Sequence, residues 1–144
     1  MIHVSQKNLD KSYNHLKQEA QKNTANGNAK LLLFVYAMEC GLKALLLRRK
    51  HITDTFKFVQ LMRSEGENSL NHDLRSLLTK LNSGLRLPEN IQIKTRSNVP
   101  ETVPLSDLHQ ALRYGGTFSN PEEKNRLEVK LNNIDSWLQK ELAQ

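Results

Sequence analysis

Residues 31–47 read LLLFVYAMECGLKALLL, a run in which only Glu39 and Lys43 carry charge. A helix with apolar side chains around its whole circumference has to be packed on several sides, so this segment, extended to about residues 29–50, is expected to be the central element of the fold. A membrane span needs about 20 predominantly apolar residues and tolerates few charges in its middle. The run is shorter than that and interrupted twice, so a buried core helix is expected and no membrane partner is invoked. At about 100° per residue, Glu39 and Lys43 fall about 40° apart and form a polar seam on an otherwise apolar cylinder. Two readings of the seam stay open. It is either an i,i+4 ion pair on a solvent-facing edge, contributing about 0.3 to 0.5 kcal/mol, or a pair held in a cleft where Glu39 orients a cation or a substrate group.

On the N-terminal side, Leu9, Tyr13, Leu16 and Ala20 recur at helical spacing and predict an amphipathic helix over about residues 5–23, broken at Asn26-Gly27-Asn28. On the C-terminal side, Phe58, Leu61 and Met62 predict a short helix over about 54–63. Leu74, Leu77, Leu78 and Leu81 predict another, from near Asn71 to just before Ser83-Gly84. Pro88, Pro100, Pro104 and Gly84 punctuate residues 83–104, which read as a long loop containing one alternating stretch, Ile91-Gln92-Ile93. Leu105, Leu108, Ala111 and Leu112 predict a short helix stopped at Gly115-Gly116. Asn120-Pro121-Glu122-Glu123 is an N-cap, a first-turn proline and two acids at the positive end of a helix dipole. In the helix it opens, Leu127, Leu131, Ile134, Leu138 and Leu142 share an arc of about 80°. The expectation is an all-α fold, an up-and-down bundle of five main helices plus a short extra one, with the loop at about 83–104.

A chain of 144 residues and 16.6 kDa fits one domain, residues 1–144, and 38% hydrophobic with 25% charged residues is a globular composition. The net charge of +6 and pI near 9.6 suit an acidic partner without requiring one. That excess arises within residues 1–53, where nine Lys and Arg face three Asp and Glu. One cysteine, Cys40, excludes an internal disulfide framework and a multi-Cys zinc site and suits a reducing compartment, the cytoplasm. The start, MIHVSQKNLDKSYN, has no apolar run after a basic segment, so no secretory leader is expected. Glycine-rich nucleotide loops, HExxH and paired CxxC motifs are absent, and neither a metal nor a cofactor is expected.

The candidate site residues lie on the central helix and at helix boundaries. His72 and Asp73 open the Leu-rich helix, and Arg113 and Tyr114 close the short one. Arg113 is the expected partner of Glu39, since a guanidinium holds a carboxylate bidentately while presenting donors to a phosphate. Tyr114 would offer a base a stacking face. His72 or His109 would serve as general base if the site were catalytic. On the first helix Lys7, Lys11 and Lys22, with His15 and Gln18, form a basic ridge opposite the apolar stripe. On the residues alone the ridge reads first as an ordinary solvated face, since a few lysines supply only weak, salt-sensitive attraction to phosphates. Cys40, beside Met38 and Ala44, is expected to be packed and inert.

Taken in order, ECGLKALLL on an apolar second helix, HDLRSLL, a short helix closing in Arg113-Tyr114 and a long terminal amphipathic helix resemble the HEPN (higher eukaryotes and prokaryotes nucleotide-binding) domain family over about residues 5–142. The resemblance implies a four- or five-helix bundle that often dimerises and occurs in prokaryotic toxin–antitoxin and phage-defence systems, with Glu39, Lys43, His72, Arg113 and Tyr114 as the matching residues. Catalytic members are metal-independent ribonucleases marked by an Arg and a His with four to six residues between them. Here Arg48 and His51 are separated by two residues, Arg63 and His72 by eight, and Arg96 and His109 by twelve. A non-catalytic module binding a nucleotide, a nucleic acid such as RNA, or a partner protein is therefore the leading expectation. The alternatives are a ribonuclease or toxin with a rearranged site built from His72 or His109 and Arg113, and a scaffold subunit.

Both the resemblance and the prevalence of two-fold oligomers lead to an expected homodimer. Light scattering at micromolar concentration should return about twice the 16.6 kDa of the chain, and a monomer mass would overturn the expectation.

Overall fold

The apolar segment forms one unbroken helix, α2 (Gly27–Arg49). The structure, a computed structural model, describes residues 4–22, 27–64, 73–94 and 98–144. α1 (Gln6–Lys22) precedes α2. After it come α3 (Thr55–Ser64), α4 (Leu74–Lys80), β1 (Asn90–Lys94), β2 (Pro100–Pro104), a 3-10 turn over Leu105–Asp107, α5 (Leu108–Arg113), β3 (Thr117–Phe118) and α6 (Pro121–Leu142). α2 packs against α1, α4, α5 and α6. Its buried residues Leu31, Ala37, Met38, Ala44, Leu46 and Leu47 lie all round the helix, as its unbroken apolar composition requires. Among the described residues no helix is long and apolar enough to cross a membrane.

Side-chain size decides how closely the helices approach. A Cβ built on Gly41 would stand 2.8 Å from Leu138 Cδ1 of α6 and 2.9 Å from the Tyr13 ring of α1. The missing side chain is therefore what lets three helices meet at one level. α6 presents Leu127, Leu131, Ile134 and Leu138 to this contact as its stripe predicts. Its first turn is closed by Asn120, whose side-chain oxygen accepts from the Glu122 amide at 2.9 Å. At the other end Arg48 donates to the Leu142 carbonyl. Arg49 pairs with Glu141 at 2.8 Å and stacks over Trp137 at 5.5 Å, which ties the end of α2 to the last turns of α6.

α4 begins later than the sequence suggests. Asp73 is its N-cap, accepting from the amides of Arg75 at 3.1 Å and Ser76 at 3.4 Å, and Asn71 lies outside the described residues. Beyond α4 the chain reverses through two left-handed residues, Asn82 (φ 51°) and Gly84 (φ 73°). Ser83 Oγ donates to the Leu78 carbonyl and accepts from the Leu85 amide, fixing the return. α3 is peripheral. It is tied to the start of α1 by the Thr55 amide donating to the Val4 carbonyl at 2.9 Å and by Thr55 Oγ1 accepting from the Val4 amide at 2.9 Å.

The expectation of an all-α fold needs correction. The helices are accompanied by a small antiparallel sheet of order β2-β1-β3, and two of its strands lie within the stretch expected to be a loop. β1 alternates exposed and buried positions, with Ile91 and Ile93 in the core, which is the period-two pattern of a half-buried strand. β2 pairs along its whole length with β1 from Asn90↔Pro104 to Lys94↔Pro100. Its two prolines are tolerated because β2 is an edge strand. β3 adds the pairings Ile93↔Phe118 and Lys94↔Thr117, and Gly115 (φ 86°) makes the turn from α5 into it. Glu123, in the first turn of α6, accepts from the Gln92 amide at 2.8 Å and so joins helix to sheet.

Replacing Gly41 with leucine should overpack the α1–α2–α6 junction and lower the unfolding free energy by about 1 to 3 kcal/mol. Chemical denaturation measures this, and an unchanged midpoint would mean that the helices separate there at no cost.

Candidate functional site

On α2, Tyr36, Glu39 and Lys43 occupy one face at spacings of three and four. On α5, His109 and Arg113 are one turn apart, and this helix packs against α2. The packing sets the Tyr36 and His109 rings 6.4 Å apart at 51°, and Arg113 Nη2 donates to the Tyr36 hydroxyl. Glu39 and His109 line a common cavity with Tyr36, Leu74, Leu108 and Leu131. The cavity holds only about 10 Å³, room for a single water-sized probe. A nucleotide does not enter it. Any larger ligand has to lie outside, where Arg113 is exposed and Tyr114 is 79% exposed.

Glu39 is paired with Lys43 at 3.7 Å, with the two side chains only 11% and 15% exposed. The pair expected on a solvent-facing edge is thus present but largely enclosed. The expected Glu39–Arg113 pair does not form, because α5 presents Arg113 one helical turn toward the N-terminus of α2, where it meets Tyr36. Hydrogen bonding to Tyr36, and secondarily to Tyr114, pushes the Arg113 guanidinium further up from its ordinary value, so it is a fixed positive charge at any relevant pH. His72 lies outside the described residues. Tyr36, missed among the site candidates, was detectable as a tyrosine three residues before Glu39 on the same helical face.

The remaining sequence candidates separate from this cluster. Lys7, Lys11, His15, Gln18 and Lys22 are all exposed along α1. Cys40 is partly buried, and burial first, then the neighbouring Glu39 carboxylate, pushes its thiol up to about 11, with Lys43 opposing. Its reactive thiolate is therefore scarce at neutral pH. Among the described residues no group of three or more His, Cys, Asp or Glu side chains is placed to hold a metal ion. A second polar cluster, absent from the sequence reading, joins α1 to α6. The Tyr13 hydroxyl donates to Asp135, Lys17 Nζ stands 3.4 Å from the same carboxylate, and Gln139 donates to its other oxygen at 3.0 Å. Burial and then the hydrogen bond to Asp135 push the Tyr13 phenol up, so it stays protonated as a structural donor.

No family model, no curated protein and no solved structure matches this chain. What fold and site define is a mainly helical protein built round one helix, with an enclosed ion pair beneath an exposed Arg–Tyr surface.

Removing one partner of a buried pair leaves the other charge uncompensated, at about 3 to 5 kcal/mol. Glu39→Ala should therefore lower stability by an amount of that order, while the double change Glu39→Leu with Lys43→Leu should recover most of it. Thermal melts of the three proteins decide this, and a single variant as stable as wild type would show the pair to be energetically idle.

Proposed function

We propose that this chain is a HEPN-like, non-catalytic binding module that docks single-stranded RNA across the surface formed by Tyr36, His109, Arg113 and Tyr114. The observation that carries this reading is Arg113. Its guanidinium is held by the Tyr36 hydroxyl at one nitrogen, is exposed to solvent and adjoins a tyrosine that is 79% exposed. A pre-oriented arginine offers charge-assisted hydrogen bonds to a phosphate. A neighbouring ring offers a base a stacking face, and this combination is how sequence-tolerant single-strand binding is built. In this reading Glu39 and Lys43 position the α2 face from beneath and do not touch the ligand. The exposed lysines of α1 add a weak, salt-sensitive attraction. A defence or toxin–antitoxin setting and a homodimeric state belong to the same proposal and rest on the family resemblance.

One observation favours a second reading. His109 and Arg113 stand one turn apart on α5, an arrangement in which an imidazole takes the proton from a ribose 2′-hydroxyl while a guanidinium stabilises the phosphorane charge. Cleavage of a labelled RNA by the purified protein, abolished in His109→Ala, would replace the binding module with a metal-independent ribonuclease.

For the leading reading, fluorescence anisotropy with a labelled single-stranded RNA is expected to show at least tenfold weaker binding for Arg113→Ala. Tyr114→Ala should cost about 1 to 3 kcal/mol of binding free energy, the range for one base–aromatic stack. Both side chains are exposed, so melting temperatures should stay at the wild-type value. Equal affinity for the two variants and wild type would overturn the proposal.

A further inference from the structure

The return of the chain after α4 creates a second feature that the Tyr36–Arg113 surface does not include. Because Asn82 and Gly84 reverse the backbone, the segment 85–87 runs back beside α4 and encloses a groove of about 710 Å³ with it. That volume lies within the range of ligand-holding clefts. Arg75 and Lys80 contribute from α4 and Arg86 from the returning segment, with Leu85 and Leu87 providing an apolar side. Arg75 and Arg86 are exposed, and among the described residues neither guanidinium has a carboxylate or hydrogen-bond partner. Asp73, the acid among the described lining residues, is engaged in accepting from the Arg75 and Ser76 amides. Two guanidiniums without a partner gathered at one concavity repel one another, and a ligand bearing several negative charges relieves that repulsion.

The groove is linked through α4 to the cavity beside Glu39. Asp73 lines the groove, and the next residue, Leu74, lines the small cavity shared by Tyr36, Glu39 and His109. The first turn of α4 is thus common to both. We propose that the α4 groove is a second phosphate-binding surface that holds the backbone of the same single-stranded RNA, extending the track beyond Arg113 and Tyr114. This inference rests on the RNA-binding reading. The chemistry fits, because arginines on a groove wall contact phosphate oxygens and a polar, open groove follows a backbone without selecting bases.

The test uses the full chain, amide-resolved NMR and two probes, a twelve-nucleotide single-stranded RNA and inorganic tripolyphosphate. With the RNA, amides of Ser76, Thr79 and Leu85 are expected to shift together with those of Arg113 and Tyr114. In the variant Arg75→Ala with Arg86→Ala the groove shifts should vanish, and the slope of log affinity against log salt should fall by about 1.4, at about 0.7 per single-strand phosphate contact. Neither side chain has a partner among the described residues, so the melting temperature should be unchanged. RNA-induced shifts confined to Arg113 and Tyr114 overturn the groove and leave the binding module standing. Shifts confined to the groove support it and overturn the Arg113 surface. Groove shifts with tripolyphosphate but none with RNA overturn the RNA assignment in favour of a free polyphosphate ligand, and no shifts with either probe overturn both readings.

Discussion

The architecture depends on one constraint: α2 must hide apolar side chains on every side while carrying a carboxylate and an ammonium in its middle. The first half of that demand recruits α1, α4, α5 and α6 as a nearly complete sheath. The second half fixes where each of them sits. Burying Glu39 and Lys43 separately would be prohibitive, so they face each other along the helix at 3.7 Å. The cavity beside Glu39 is the residue of that compromise, bounded by leucines from α4, α5 and α6 yet reached by Tyr36 and His109. A feature that begins as a packing problem thereby determines where polar side chains from different helices meet.

Much of the helical frame was legible because its signals are local. Asn120 caps α6 as its position before Pro121-Glu122-Glu123 implies, the stripe from Leu127 to Leu138 is buried, and Gly115 ends the α5 segment with a positive φ. The sheet was not legible for the opposite reason. β1 offers only Ile91 and Ile93 as an alternating pair, β2 is exposed at four of its five positions and framed by prolines, and β3 is two residues long. None of these would hold an extended form alone. They become strands through pairing between segments distant in sequence, and pairing leaves little trace in a period count. Two of the prolines that argued for a loop, Pro100 and Pro104, mark an edge strand.

The site divides along the same line. A charged residue in the middle of LLLFVYAMECGLKALLL singles itself out, and the i,i+4 relation to Lys43 follows from helical geometry. The partner of Arg113 did not follow. Periodicity places residues round one helix but says nothing of how far one helix slides along another. Tyr36 and Glu39 are separated by about 4.5 Å of helix rise, so a slide of less than one turn exchanges a carboxylate for a phenol. The Tyr13–Asp135 contact was hidden likewise. Tyr13 scored as one more member of an apolar stripe, although a buried phenol needs an acceptor, and Asp135 sits beside Ile134 on the edge of the α6 stripe, within reach once α1 and α6 are docked on α2.

What results is a separation between the groups that hold the fold and the groups that face solvent. Gly41, Tyr13, Glu39, Lys43 and Asp135 are enclosed or engaged with one another, and a 10 Å³ cavity gives a ligand no access to them. Arg113, Tyr114, Arg75 and Arg86 are exposed, and their removal leaves no void and no stranded buried charge. The exposed surface can therefore change its chemistry without disturbing the core. The link between the two sets is Tyr36. Its ring is packed against His109 and lines the Glu39 cavity while its hydroxyl holds Arg113. Loss of that hydroxyl alone leaves the packing in place and releases the guanidinium to sample rotamers, so any effect on binding would enter through orientation, with the charge and the fold conserved.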